Sequence, residues 1–247
     1  MYFQWIEGDY ISFQKEIESV IMNENTDIIN ACVFYKRRKI QAIQIPPYTF
    51  YKILERMVGK NKLSRVGKGV YRKNNVHENY ELSSSEIIKY YTSRNNSSSL
   101  VCGIAAGMFL INRYSILLNS SHADFPIIIY SSLIHEQKKN VSKIEIYRLP
   151  HALNPKECFC LEFLLILDEF GDSLANLGTL TCTLKQKYND RCMNSILNEF
   201  HFKKKIIAFA FEILNKLNIK NSLSVFLCSV TKYDYPDVNL LLNTKHN

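Results

Sequence analysis

A helix followed at once by a hairpin is the local pattern that most constrains the fold of this chain. Pro47 suits the first turn of a helix, because its fixed φ is already helical. Apolar residues then recur at helical spacing, namely Phe50, Ile53, Leu54 and Met57. We therefore predict a helix from Tyr48 to about Val58, and we expect Gly59 to end it in the left-handed conformation.

The hairpin is predicted from the next fifteen or so residues. Two short β-prone segments, residues 62–66 and 70–73, flank the sequence Gly67-Lys68-Gly69. Glycines around one basic residue between such segments are typical of a tight turn. The prediction is a two-stranded hairpin with Lys68 at its tip.

The residues upstream complete a small domain. Residues 9–22 have apolar residues at helical spacing behind Asp9, a suitable helix cap, whereas residues 26–35 are compatible with either helix or strand. Helices, a basic helix and then a hairpin are the layout of a winged helix-turn-helix, in which the last helix enters the major groove of DNA. We predict such a domain over residues 1–75.

Positive charge is concentrated in this domain. Residues 36–73 contain 12 Lys or Arg and one acidic residue, Glu55, whereas the whole chain has a net charge of only +8. A segment with this charge density favours an anionic partner, and nucleic acid is the commonest one, because each neutralised phosphate releases a counterion. A solvated basic face with no partner is the alternative.

The candidate DNA-binding residues lie on the predicted basic helix, on the hairpin and in a basic cluster upstream. Lys or Arg on the helix could read guanine, and cations on the hairpin could contact phosphates. The set is Tyr48, Thr49, Lys52, Arg56, Lys60, Lys62, Arg65, Lys68, Arg72, Lys73, Arg37 and Arg38.

Residues 76–247 are predicted to form a mixed α/β domain that ends in helices, so the fold class of the chain is α+β. Asn154-Pro155-Lys156-Glu157 is a capping box that should open a helix ending near Gly171. Further helices are expected over 83–94, 105–111, 174–188 and 192–218, and strands over 100–102, 125–131 and 143–149.

We identify no motif for catalysis or metal binding. Asp168 and Asp172 are a weak candidate pair for Mg²⁺, and Cys158 and Cys160 lie in an apolar run that favours buried thiols over a nucleophile. We expect no enzymatic activity, no metal and no cofactor. The longest apolar run, residues 100–111, is shorter than a membrane span, and the N-terminus has acidic residues where a secretory signal is basic, so we expect a cytoplasmic protein that does not bind membranes.

The segment from Phe50 to Lys73 resembles the AbiEi-like antitoxin family. In that family a recognition helix of the form L-x-R-L leads into a wing of the form K-G-x-[IL]-x-R-V-x-[KR]-G-V-Y. The matching residues are Ile53, Leu54, Arg56, Lys60, Leu63, Arg65, Val66, Lys68, Gly69, Val70 and Tyr71. The resemblance continues more weakly to about residue 175, and Ala105 stands where the family usually has serine.

The resemblance implies a bacterial transcriptional autorepressor of a toxin–antitoxin operon linked to phage defence. Its partner would be double-stranded DNA at its own promoter, with inverted repeats. It would also oppose a cognate nucleotidyltransferase toxin, which in the type IV arrangement of such systems it need not bind directly. Two alternatives from other classes remain open: a nucleic-acid-directed enzyme, such as a nuclease or nucleotidyl transferase, and a basic interaction or effector module.

Overall fold

The computed structural model describes residues 7–24, 26–36, 38–74, 83–92, 99–119, 126–227 and 233–242. It confirms the α+β class. The chain divides into two compact units, residues 1–90 with 140–142, and residues 91–139 with 143–247. The domain boundary predicted between residues 75 and 76 falls outside the described residues.

The first unit combines helices with a three-stranded antiparallel sheet. Its described elements are α1 (Glu7–Met22), β1 (Ile28–Asn30), α2 (Ala31–Tyr35), α3 (Arg38–Gln41), α4 (Pro47–Gly59), β2 (Leu63–Gly67), β3 (Val70–Lys73) and α5 (Ser84–Tyr91). The order of strands in the sheet is β1-β3-β2, so the last strand lies in the middle.

The apolar spacing of α4 is confirmed as the reason this helix packs into the core. Phe50, Ile53, Leu54 and Met57 are all buried. They join a cluster with Ile17 and Ile21 of α1 and with residues of α2 and the sheet. One face of α4 therefore packs in the interior, and the opposite face is exposed to solvent.

The end of α4 differs from the prediction. Gly59 is the last helical residue, and the left-handed residue is Asn61, with φ of 55°. The backbone N–H of Asn61 donates to the Val58 carbonyl, and that of Lys62 donates to the Met57 carbonyl, both at 2.9 Å. This is the Schellman pattern with asparagine in the place that glycine usually takes, two residues beyond the expected position.

The ambiguous segment 26–35 contains both kinds of structure. Asn30 ends β1 and also caps α2, since its side chain accepts a hydrogen bond from the Val33 N–H at 3.4 Å. β1 pairs with β3 from Ile28 opposite Arg72 to Asn30 opposite Val70. The change from strand to helix within three residues explains why no single period was visible.

The predicted hairpin is confirmed as β2 and β3. Its register places Leu63 opposite Lys73 and Arg65 opposite Tyr71, with an irregularity between Arg65 and Gly67. Gly69 has φ of 67°, which only glycine adopts at little cost. Lys68 is exposed at the tip, as expected.

The second unit places helices against a four-stranded sheet of order β4-β6-β8-β7. Its described elements are β4 (Gly103–Ala105), α6 (Met108–Arg113), β5 (Leu117–Leu118), β6 (Ile127–Ser131), β7 (Lys138–Val141, of which Asn140 and Val141 are grouped with the first unit), β8 (Ile144–Arg148), α7 (Pro155–Phe170), β9 (Leu174–Asn176), α8 (Leu180–Lys187), α9 (Asp190–Glu199), α10 (Lys204–Lys216) and α11 (Val238–Leu242). Two 3-10 turns lie over Gly171–Ser173 and Leu223–Phe226.

Helix α7 is the centre of this unit. The predicted capping box is confirmed, because the Asn154 side chain accepts from the Lys156 and Glu157 N–H groups and Glu157 reaches back to the Asn154 N–H. Every residue of α7 from Cys158 to Leu167 is buried, and so is Phe170. The helix therefore lies inside the core and not on its surface.

Several predicted elements of the second unit are wrong in position or length. The strand expected over 100–102 is β4 at Gly103–Ala105, and the helix expected over 105–111 is α6 at Met108–Arg113. The helix expected over 174–188 begins only at Leu180, after the short strand β9. The helix expected over 192–218 is two helices, because Phe200 adopts an extended conformation and ends α9. In the part of the chain that the structure describes, no helix has both the length and the apolar character needed to cross a membrane.

Candidate nucleic-acid interface

The solvent face of α4 carries three of the predicted DNA-binding residues. Tyr48, Lys52 and Arg56 follow one another at intervals of four, so they line up along the helix. Tyr48 is 68% exposed, which is unusual for so large a side chain, and the Lys52 ammonium lies 4.5 Å from the centre of its ring. A cation and an aromatic face are thus presented together, with Thr49 half-buried beside them in the first turn.

Arg56 is linked to helix α1. Its guanidinium donates to the Gln14 side-chain oxygen at 3.3 Å, and the Gln14 amide donates to the Glu18 carboxylate at 2.7 Å. The C-terminal part of α4 is therefore flanked by polar groups from outside the basic segment.

Glu18 in turn binds two more of the predicted cations. The Lys62 ammonium lies 2.5 Å from the Glu18 Oε2 atom, and the Lys60 ammonium lies 3.4 Å from the Glu18 Oε1 atom. Burial of Glu18 acts to raise the pKa of its carboxyl group, but the hydrogen bonds from Lys62, Gln14 and Lys60 outweigh burial and lower this pKa to about 2. Glu18 is thus ionised throughout the physiological range. We call Gln14, Glu18, Lys60 and Lys62 the Glu18 cluster.

The hairpin brings further cations beside α4. Arg65 is exposed on β2, directly opposite Tyr71 on β3. Burial raises the pKa of the Tyr71 hydroxyl, the positive charge of Arg65 opposes this shift, and the negative charge of Glu55 on α4 adds to it. Helix α4 and strand β2 are in contact, so the basic strand lies beside the helix. Arg72 is half-buried on the adjacent strand.

Lys73 is a correction to the predicted set. It is only 5% exposed, and its ammonium donates to the backbone carbonyls of Met22, at 3.2 Å, and Glu24. Burial lowers the pKa of Lys73, while the charges of Asp27 and Glu24 oppose that shift. The ammonium stabilises the C-terminal end of α1, where carbonyls lack helical partners, and it does not face solvent.

The upstream basic cluster is only partly described. Arg37 lies outside the described residues, and Arg38 belongs to α3 but its side chain is not among those described. Both remain predictions.

Gln14 and Glu18 were absent from the predicted site. Residues 9–22 were expected to be helical, and the spacing of four between these two residues places them on one side of that helix. This spacing was the available signal, but nothing local indicated that the pair would face cations more than forty residues away.

Three of the residues considered for other chemistry, Asp172, Cys158 and Cys160, have structural partners. Asp172 forms an ion pair with Lys205 at 2.8 Å, and among the described residues no three His, Cys, Asp or Glu side chains are close enough to hold a metal ion. Cys158 and Cys160 are buried in α7, where burial raises the pKa of the Cys160 thiol to about 12. A thiol with so high a pKa is a poor nucleophile near neutral pH.

The comparisons with known proteins assign no relative to this arrangement: no protein-family model matches the chain, and no curated protein is significantly similar to it.

Proposed function

We propose that the first unit is a winged helix-turn-helix that binds double-stranded DNA. The observation that carries this proposal is the exposed row of Tyr48, Lys52 and Arg56 on α4, beside a basic hairpin. A helix with side chains is about 10–12 Å across, which suits the major groove of about 12 Å. In this arrangement α4 enters the groove and β2–β3 lies along the backbone as the wing.

The order of elements supports the same proposal. A helix, a strand, further helices and a hairpin follow one another, and the first strand joins the hairpin to give the sheet order β1-β3-β2. Strand β1 pairs with one edge of the hairpin, and the apolar face of α4 packs into the core. Both parts of the proposed interface thus rest on the same core.

Each group has a different proposed role. Lys52 and Arg56 are the candidates for reading bases, because Lys and Arg bind the O6 and N7 atoms of guanine. Tyr48 supplies an aromatic face next to Lys52. Lys68, Arg65 and Arg72 are candidates for phosphate contacts, which position a protein without reading sequence.

We further propose that the chain is an antitoxin-like autorepressor, as its resemblance to the AbiEi-like family implies. It would bind inverted repeats in its own promoter and oppose a nucleotidyltransferase toxin encoded beside it. We propose a binding function for this chain and assign it no catalytic reaction.

The test is binding of the full chain to a duplex from its own upstream region, measured by fluorescence anisotropy at several salt concentrations. We expect the double variant Lys52→Ala, Arg56→Ala to lose roughly 2 to 6 kcal/mol of binding free energy, because each good base contact contributes about 1–3 kcal/mol. The matched control is Lys185→Ala, Lys187→Ala, which removes the same charge from exposed positions on α8.

Equal weakening by the two double variants would show that only net charge matters, and would contradict the proposed interface. Equally tight binding to an unrelated duplex at every salt concentration would contradict the repressor proposal. The antitoxin role is tested separately, by asking whether expression of the chain restores growth to cells that express the toxin encoded next to it.

A further inference from the structure

The Glu18 cluster places a negative charge within the proposed DNA-binding surface. Glu18 is 8% exposed, so most of its surface is shielded from water. Such a group is stable only when it is paired and hydrogen-bonded, and here the partners are the ammonium groups of Lys60 and Lys62. Both lysines leave the end of α4 and the turn into β2, next to the residues proposed to enter the groove.

The two lysines are not equivalent to ordinary surface cations. Their side chains are about half exposed, at 52% for Lys60 and 44% for Lys62, so a phosphate could approach either one. Each already donates to a carboxylate oxygen, however, and the three charges together amount to +1. A phosphate that approaches must compete with Glu18 for the same donors.

This competition affects one component of binding more than the other. Affinity for DNA of any sequence comes almost entirely from phosphate contacts and the counterions that they release. Discrimination comes from contacts to the bases. A residue that withholds two lysines from phosphate therefore lowers sequence-independent affinity and leaves the reading of bases to other side chains.

We propose that Glu18 acts as an internal competitor for DNA phosphate: it retains Lys60 and Lys62 and so limits the affinity of the protein for duplexes of arbitrary sequence. This inference rests on the proposed DNA binding and concerns the specificity of the same surface. In the opposite role, Glu18 would hold the lysines in the geometry that best meets phosphate. The two roles predict couplings of opposite sign.

The experiment is a double-mutant cycle on the full chain. Its four proteins are wild type, Glu18→Gln, Lys60→Gln with Lys62→Gln, and the triple variant. Each is titrated with a short duplex of arbitrary sequence between about 50 and 200 mM salt, and the slope of log K against log salt is compared.

If Glu18 withholds the lysines, Glu18→Gln steepens the slope by about 0.9 to 1.8 and tightens binding at low salt by about tenfold, because each new phosphate contact adds about 0.9. In the Glu18→Gln background, removing the lysines then reduces the slope by about 1.8. In the wild-type background this cost in slope is less than half as large. An equal or larger cost in the wild-type background would overturn the proposal, as would an unchanged or shallower slope for Glu18→Gln.

Two controls are needed: circular dichroism of each variant, and binding of the duplex by the wild-type protein. Circular dichroism establishes that each variant is folded. If Glu18→Gln is not, the lysine variant alone decides: a slope reduced by about 1.8 overturns the proposal, and a reduction below about half of this supports it. In the lysine variant the Glu18 carboxylate has lost its lysine partners and repels DNA. This repulsion can only enlarge the reduction in slope, so a small reduction is strict support for the proposal. Wild type that binds no duplex at any salt concentration refutes the proposed function itself, which is a different outcome from a cycle with the wrong sign.

Discussion

The end of helix α4 allows a direct test of the local backbone. Gly59 is helical, and a Cβ atom added there would meet nothing within 4 Å. Gly59→Ala should therefore stabilise the first unit by about 0.5–1 kcal/mol, because alanine loses less backbone entropy on folding. Asn61, two residues later, has φ of 55°. A side chain in this conformation costs about 1–2 kcal/mol.

Asn61 also makes a side-chain contact, which a matched pair of variants separates from the backbone effect. The Asn74 amide donates to the Asn61 side-chain oxygen at 2.9 Å, and this bond is lost in both Asn61→Ala and Asn61→Gly. Only alanine has the left-handed penalty. The difference between these two variants therefore isolates the backbone term, and we expect Asn61→Gly to be more stable by about 1 kcal/mol.

The measurement is urea unfolding followed by far-ultraviolet circular dichroism, with wild type and the three variants compared under one set of conditions. A Gly59→Ala protein less stable than wild type would mean that Gly59 is the left-handed residue, as its sequence position suggests. Equal stability of Asn61→Ala and Asn61→Gly would refute the assignment of Asn61. Either result would change the path of the chain from α4 into the hairpin.

Three further predictions concern individual residues. The pKa of the Glu18 carboxyl group is about 2, below its usual 4.5. The ionised carboxylate therefore stabilises the fold by roughly 3 kcal/mol at most, and this contribution is complete above about pH 5 and is lost as the pH falls towards 2. The free energies of unfolding of wild type and Glu18→Gln should converge over that range, and a constant difference would contradict the pairing. Lys73→Met should lower the free energy of unfolding by about 1–3 kcal/mol and leave the salt slope of DNA binding unchanged. Lys68→Ala, in contrast, should reduce that slope by about 0.9. Equal reductions of the slope by the two variants would show that Lys73 is accessible. Gly178→Ala should lower the free energy of unfolding by about 2–4 kcal/mol, because Gly178 has φ of 52° and an added Cβ would overlap the Ser115 carbonyl oxygen. Thermal or urea unfolding measures this loss, and a melting curve identical to that of wild type would refute this packing.

The elements that could be predicted from the sequence are those that depend on nearby residues. The apolar spacing of α4, the Gly67–Gly69 turn and the capping box at Asn154 each act within a few residues, and all three are confirmed. The left-handed residue after α4 was misplaced by two positions, because asparagine can replace glycine there when neighbouring hydrogen bonds are satisfied.

The features that could not be predicted depend on contacts between distant parts of the chain. Lys73 donates to a carbonyl 51 residues away, so its burial follows from where α1 ends and not from its own neighbours. The strand β7 has the sequence Lys-Lys-Asn-Val, in which only Val141 is a usual strand-forming residue. It leads to β8 through Ser142, a left-handed residue that is neither glycine nor asparagine.

The candidate site was predicted in outline but not in its electrostatics. Tyr48, Lys52 and Arg56 lie on the exposed side of α4, as helical spacing requires. A count of cations along the sequence treated Lys60 and Lys62 as equal to the others, because the carboxylate that binds them comes from a different helix. Local charge density indicates that a surface is basic, but it does not give the charge that a partner would meet.

The central place of β3 determines when the first unit can finish folding. Ile28 pairs with Arg72, so 44 residues separate the partners (72 minus 28). β2 and β3 can close quickly across a two-residue turn, but β1 has no partner until the whole hairpin has been synthesised and ordered. During translation, β1 must therefore leave the ribosome and remain without this partner until the residues of β3 emerge.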